Sequence, residues 1–103
     1  MQTASKTVNY TDEQVKLANF AKAMSHPTRI CILQKLAKTN ACVYSGEIVK
    51  ELNINKSALS LHLKELKLSG LINGTAEPPF IKYCINKENW NTAKKLFANL
   101  LSE

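Results

Sequence analysis

Residues 45–71 read SGEIVKELNINKSALSLHLKELKLSGL, and the way this stretch folds decides the rest of the chain. Its pattern predicts two helices joined by a tight turn. Ser45 is placed to cap the first, whose apolar residues Ile48, Val49 and Leu52 recur at helical spacing. Asn53-Ile54-Asn55 interrupts that spacing with turn chemistry, and Asn55 is placed to cap the second helix. On a helical wheel Leu59, Leu63 and Leu66 of the second helix fall on one narrow stripe, the side that packs inward.

The opposite face gathers Lys56, Ser57, Ser60, Leu61, Lys64, Lys67 and Leu68. Hydroxyls, ammonium groups and two leucines on one surface suit a DNA groove. There Ser bonds base edges or phosphates, Lys reaches phosphates or guanine, and an apolar side chain touches a thymine methyl. A plain helical hairpin with a solvated lysine face accounts for the same residues, so both readings stand at this point. A third is a protein-interaction module docking an acidic partner, because lysine throughout the helix leaves no bidentate guanine reader.

Toward the amino end, Thr11 opens T-D-E-Q, a capping box in which Thr11 and Gln14 satisfy each other's backbone amides. The helix it begins runs to about Met24, and Val15, Leu17, Ala18, Phe20, Ala21 and Met24 give it a broad apolar side, assigned to dimerisation. Pro27 suits the first position of a second helix, with His26 as a cap or turn residue. Ile30, Leu33 and Leu36, with Ala37, are expected inward, and Cys31 as a small buried residue. Ala41 to Tyr44 is a candidate short extended piece.

Toward the carboxyl end, Ser69-Gly70 is a helix-ending signal. Residues 71–75 and 80–85 read as a hairpin around Ala76-Glu77-Pro78-Pro79, with Lys82 and Cys84 on one face of the second strand. A hairpin directly after such a helix is a wing, on which Lys82 either holds a phosphate or is simply solvated. Asn86 caps a last helix whose Trp90, Ala93, Phe97 and Leu100 or Leu101 form an apolar face.

With 103 residues and 45% hydrophobic content the chain makes one small domain with a modest core. The net charge of +6 favours a polyanionic partner. No apolar run approaches membrane-spanning length and the amino end lacks a secretory core, so a cytoplasmic, membrane-free protein is expected. Three cysteines at irregular spacing, Cys31, Cys42 and Cys84, fit reduced thiols rather than a disulfide framework. Neither a nucleophile with a paired base nor a glycine-rich phosphate loop is present, which argues against an enzyme.

Two segments carry a resemblance: A-M-S-H-P-T-R-I-C-I-L-Q-K-L at Ala23 to Leu36 and S-A-L-S-L-H-L-K-E-L-K-L-S-G-L-I at Ser57 to Ile72. Together they resemble the ArsR/SmtB family of bacterial winged-helix repressors. The resemblance implies a mostly α fold with a small β-hairpin, a dimeric winged helix-turn-helix in the order α-α-α-α-β-β-α. Residues 1–10 are then a flexible segment and 11–103 the DNA-binding domain, with Val15, Leu17, Phe20, Trp90, Phe97 and Leu101 at the interface of a homodimer. It implies a palindromic operator on double-stranded DNA and release by an inducer that the sequence does not identify.

Carried over by position, Ser57, Ser60, Leu61 and Lys64 face DNA, and Lys56, Lys67 and Lys82 extend that surface. His62 matches the family's histidine but lies beside the stripe, so a structural role stands next to a DNA contact. Where arsenic-sensing members carry C-V-C, this chain has Cys42-Val43-Tyr44, and one thiolate holds a soft metal poorly unless Cys31 or Cys84 converges on it. The Asp, His and Glu ligands that zinc-sensing members place on the last helix are missing, since residues 86–103 contain no His or Asp. No metal or other cofactor is expected. The alternative is a thiol-based arsenic, metal or redox sensor acting through Cys42.

Overall fold

The structure, a computed structural model, describes residues 8–103, so residues 1–7 of the expected flexible segment lie outside it. Five helices and a small sheet follow in the order α1 (Asp12–Ala23), α2 (Pro27–Thr39), β1 (Val43–Tyr44), α3 (Ser45–Leu52), α4 (Lys56–Leu68), β2 (Ile72–Glu77), β3 (Phe80–Ile85) and α5 (Lys87–Leu101). This is a winged helix-turn-helix. None of the helices is long and apolar enough to cross a membrane among the described residues.

Local chemistry fixes most of the boundaries. The Thr11 capping box closes reciprocally, Thr11 Oγ1 accepting from Gln14 N at 3.0 Å and Gln14 Oε1 from Thr11 N at 2.9 Å. His26 Nδ1 accepts from Thr28 N at 3.0 Å, with Pro27 in the first helical position. Asn55 and Asn86 cap α4 and α5 through their side-chain oxygens. The cap expected at Ser45 is not there: Tyr44 is the N-cap, without a side-chain bond, and Ser45 is the first helical residue. The cause is β1, which runs straight into α3 and leaves Tyr44 as the last extended residue.

The core is built by Leu59, Leu63 and Leu66 of α4 against Ile32, Leu33 and Leu36 of α2, with Ile48, Leu71, Ile72, Val43, Tyr83 and Ala93 around them. On α2 the inward stripe is rotated from its expected place. Ile32 is fully buried, whereas Ile30 is 38% exposed and Cys31, expected inside, is exposed. The helix packs against both α4 and β3, and that pair of neighbours turns the buried arc toward Ile32.

The expected hairpin is longer and gains a third strand. Both strands have six residues, β2 extending through Ala76 and Glu77, so that only Pro78-Pro79 remains as the turn. The sheet order is β1-β3-β2, all antiparallel, with Val43 opposite Tyr83 and Tyr44 opposite Lys82. Alternation puts Val43, Tyr83 and Ile72 on the core side, and Tyr44, Lys82, Thr75 and Glu77 on the outer side.

One rung beyond Val43 and Tyr83, Cys42 and Cys84 are joined in a disulfide, their Cα atoms 4.4 Å apart. This corrects the expectation of three free thiols. Cysteine spacing along the chain carried no sign of it, because the strand that brings Cys42 to Cys84 is only two residues long. Cys31 is the free cysteine.

The end of α4 is tied to α5 at Gly70. This residue has φ +86°, a left-handed conformation suited to glycine, and its carbonyl accepts from Asn89 Nδ2 at 2.8 Å. A Cβ here would stand 2.7 Å from that same Nδ2. Gly70→Ala therefore carries both backbone strain and a clash. It is expected to lower unfolding stability by about 1–3 kcal/mol, read by urea denaturation of the variant against wild type.

Candidate nucleic-acid interface

The helix-turn-helix is α3 and α4, joined at Asn53, which adopts φ 51° and ends α3 in the left-handed region that asparagine tolerates. With Leu59, Leu63 and Leu66 buried to 2% exposure or less, the other side of α4 is forced outward. Lys56, Ser57, Ser60, Leu61, Lys64, Lys67 and Leu68 are all exposed, Leu61 at 57% and Leu68 at 73%. None of them donates or accepts a side-chain hydrogen bond among the described residues. The fold thus presents two hydroxyls, three ammonium groups and two leucines together, with every polar group left to an outside partner.

Lys67 differs from the others. A Cβ on Gly74 of β2 would lie 3.2 Å from Lys67 Cδ and 3.1 Å from the Tyr83 ring, so the bare glycine lets the lysine stem cross the base of the wing. Lys82, unlike the lysines of α4, is not a free cation: its ammonium pairs with Glu77 at 3.1 Å. The carboxyl of Glu77 is held below the usual carboxylate range by the Tyr44 hydroxyl it accepts from, then by Lys82, and Lys82 is raised in turn by Glu77.

His62 sits between α4 and α2. Its Nδ1 accepts from Arg29 Nε at 3.1 Å, and its ring stacks at a tilt on His26, centroids 4.4 Å apart. Arg29 also reaches the carbonyl of Ala23 at 3.5 Å. The structural role of His62 is thereby concrete: it anchors the P-T-R segment of α2 to α4.

The six residues expected at a dimer face separate. Phe20 is 3% exposed within the protomer's own core, and this corrects its assignment to an open face. Val15 and Leu101 are exposed, and Leu17, Trp90 and Phe97 are half-buried, on α1 and α5, which pack together. No cluster of three or more His, Cys, Asp or Glu side chains that could hold a metal ion occurs among the described residues. With their sulfurs bonded to each other, Cys42 and Cys84 offer no thiolate to a metal in this form.

A two-helix unit with a bare serine and lysine face, followed by a wing, defines the winged helix-turn-helix class of DNA-binding domains. Residues 26–74 match the family described as bacterial regulatory protein, arsR family. The chain is 35% identical over 74 residues to the HTH-type transcriptional regulator YgaV of Escherichia coli (strain K12), covering 72% of this chain and 74% of that protein. Among solved structures, HlyU from Vibrio cholerae N16961 superposes with a TM-score of 0.70 at 26% identity, covering 91% of this chain and all of that one. The transcriptional repressor BigR from Xylella fastidiosa shares the fold, with a TM-score of 0.69 at 24% identity over 84% of each chain. The chain belongs to the arsR family of bacterial regulatory proteins, and it is a regulator of transcription rather than an enzyme.

The His62 contact has a pH signature. Burial first, then the His26 and Arg29 charges, lower its pKa from the ordinary imidazole value of 6.5. The unfolded chain then takes up this proton more readily than the folded one. The stabilisation is complete above about pH 6.5 and declines as pH falls through the ordinary value toward the lowered one. Denaturant unfolding between about pH 7.5 and 5 is expected to show this decline in wild type, and a shallower one in His62→Gln, whose amide oxygen still accepts from Arg29 without titrating.

Proposed function

We propose that this chain is a homodimeric repressor that reads a palindromic operator by laying the exposed side of α4 in the major groove. The observation that carries this reading is the composition of that side: Ser57, Ser60, Lys64 and the open Leu61 and Leu68 have no task within the protomer. Serine and lysine supply polar contacts to base edges and phosphates, and the leucines contact with thymine methyls. The net charge of +6 adds a sequence-independent attraction.

The homodimer is supported by the apolar surface left on the terminal helices, where Val15, Leu100 and Leu101 stand exposed, Leu101 at 76%. Burying it against a second copy removes that surface from water and sets two α4 helices on a twofold axis. Half-sites are then expected about 10 base pairs apart, one helical turn of the duplex. The BigR repressor shares this fold, which supports repression as the mode of action.

Ser60→Ala combined with Lys64→Ala is expected to weaken binding to a duplex selected by the wild-type protein about tenfold or more, and to flatten its salt dependence by about one phosphate contact. Both positions are exposed, so the melting temperature should not move. Unchanged affinity against competitor DNA would remove α4 as the reading element and favour the acidic-protein partner instead.

A second reading is favoured by the Cys42–Cys84 pair: the inducing signal is thiol chemistry. An organic hydroperoxide takes the Cys42 thiolate to a sulfenic acid, releasing the alcohol. Cys84 then displaces that oxygen as water and closes the disulfide, two electrons passing from the sulfurs to the peroxide. Cys42 is exposed and reachable, and disulfides in a DNA-bearing compartment are as a rule transient and signalling. Operator affinity is expected to change by about threefold or more between reductant and oxidant in wild type and to stay constant in Cys42→Ser. Equal responses of the two proteins to oxidants, arsenite and soft metals would exclude this reading.

A further inference from the structure

The outer side of the sheet carries a side-chain cluster that the core does not use. Lys82 stands between Tyr44 on β1 and Thr75 on β2, and Glu77 is its diagonal neighbour two residues along β2. Glu77 Oε2 meets Lys82 Nζ at 3.1 Å while the Tyr44 hydroxyl donates to Glu77 Oε1 at 2.8 Å. Lys82 Nζ also lies 5.0 Å from the centre of the Tyr44 ring, which Phe80 meets edge-on at 5.6 Å. The Cys42–Cys84 bond is two residues further along both strands on this same side, so it fastens β1 where Tyr44 can reach Glu77.

An exposed ion pair of this kind adds little to folding stability. Its chemical effect is on the ammonium. A carboxylate offers Lys82 the same charge-assisted acceptor oxygens that a DNA phosphate would offer. The hydroxyl of Tyr44 steadies that carboxylate from its other oxygen, so the lysine of the wing is already occupied before any polyanion arrives.

We propose that Glu77 is an internal competitor for Lys82, a carboxylate standing where a DNA phosphate is to bind, so that the wing adds to DNA affinity only when the Glu77 contact opens. This rests on the reading that α4 and the wing meet duplex DNA. Glu77 then weakens binding in two ways: it must be displaced, and it keeps one cation out of the count of phosphates neutralised. The wing thereby tunes affinity downward without altering α4 or the bases it reads.

The test uses the full chain and a labelled mixed-sequence duplex, because phosphate contacts do not depend on sequence. Glu77→Gln is expected to bind about two- to fivefold tighter than wild type. Its plot of log affinity against log salt should be steeper by about 0.9, one additional phosphate. In a Lys82→Gln background the Glu77→Gln gain should vanish, and Tyr44→Phe should give part of the gain with Lys82 intact. The proposal is overturned if Glu77→Gln binds as wild type does. It is equally overturned if the gain persists with Lys82→Gln, since the carboxylate would then act only by repelling DNA. Should wild type show no salt-dependent binding, the DNA reading itself fails and the proposal with it. Loss of affinity in Ser60→Ala/Lys64→Ala beside an indifferent Glu77→Gln would retain that reading and reject the competitor alone.

Discussion

The packing of Leu59, Leu63 and Leu66 into the core is the constraint on which the molecule depends. A helix of 13 residues has a single surface to divide, and sinking this stripe against Ile32, Leu33 and Leu36 fixes the rotation of α4 about its axis. Once that rotation is fixed, Ser57, Ser60, Leu61 and Lys64 have nowhere to go but outward. A polar substitution in the stripe would release the rotation as well as the stability, so the same three leucines that hold the domain together also aim its exposed serine and lysine side.

Around this helix the remaining elements act as braces. His62 and Arg29 connect it to α2, Gly74 lets Lys67 lie across the foot of the wing, and the Gly70 carbonyl binds its end to α5. The sheet is a brace of another kind. Its core side, Val43, Tyr83 and Ile72, holds the wing to the domain, while its outer side keeps a tyrosine, a carboxylate, an ammonium and a disulfide within reach of one another. Packing and polar chemistry are thus divided between the two faces by the strict alternation of a pleated strand.

Much of this was legible in the sequence because it is written in local chemistry. The Thr11 box, the asparagine caps at Asn55 and Asn86, Pro27 at a helix start and Gly70 at a helix end depend on residues a few positions apart, and the leucine stripe depends on periodicity alone. What escaped depends on contacts between distant segments. The buried arc of α2 was displaced from Ile30 to Ile32 by two packing partners that no wheel includes. Phe20 was claimed by the protomer core. The Cys42–Cys84 bond and the Tyr44–Glu77–Lys82 cluster both follow from β1, two residues whose pairing with the distant β3 gives no signal of its own in the sequence. The outward face of α4 was readable because burying its other side leaves one answer; the engagement of Lys82 was not, because it needs a strand register.

The junction at Gly70 and Leu71 gives the molecule a mechanical property. Asn89 holds the Gly70 carbonyl, and the backbone N–H of Asn86 donates to the carbonyl of Leu71 at 3.0 Å, so the amino end of α5 is bolted to the carboxyl end of α4. In the proposed dimer α5 belongs to the twofold joint, and a tilt of that helix would swing α4 like an arm on a crank. The duplex has a fixed helical pitch, and two arms match it at one separation only. Any event at the joint that changes this separation by a few ångströms would put the pair out of step with the grooves, with no change to the residues that touch DNA.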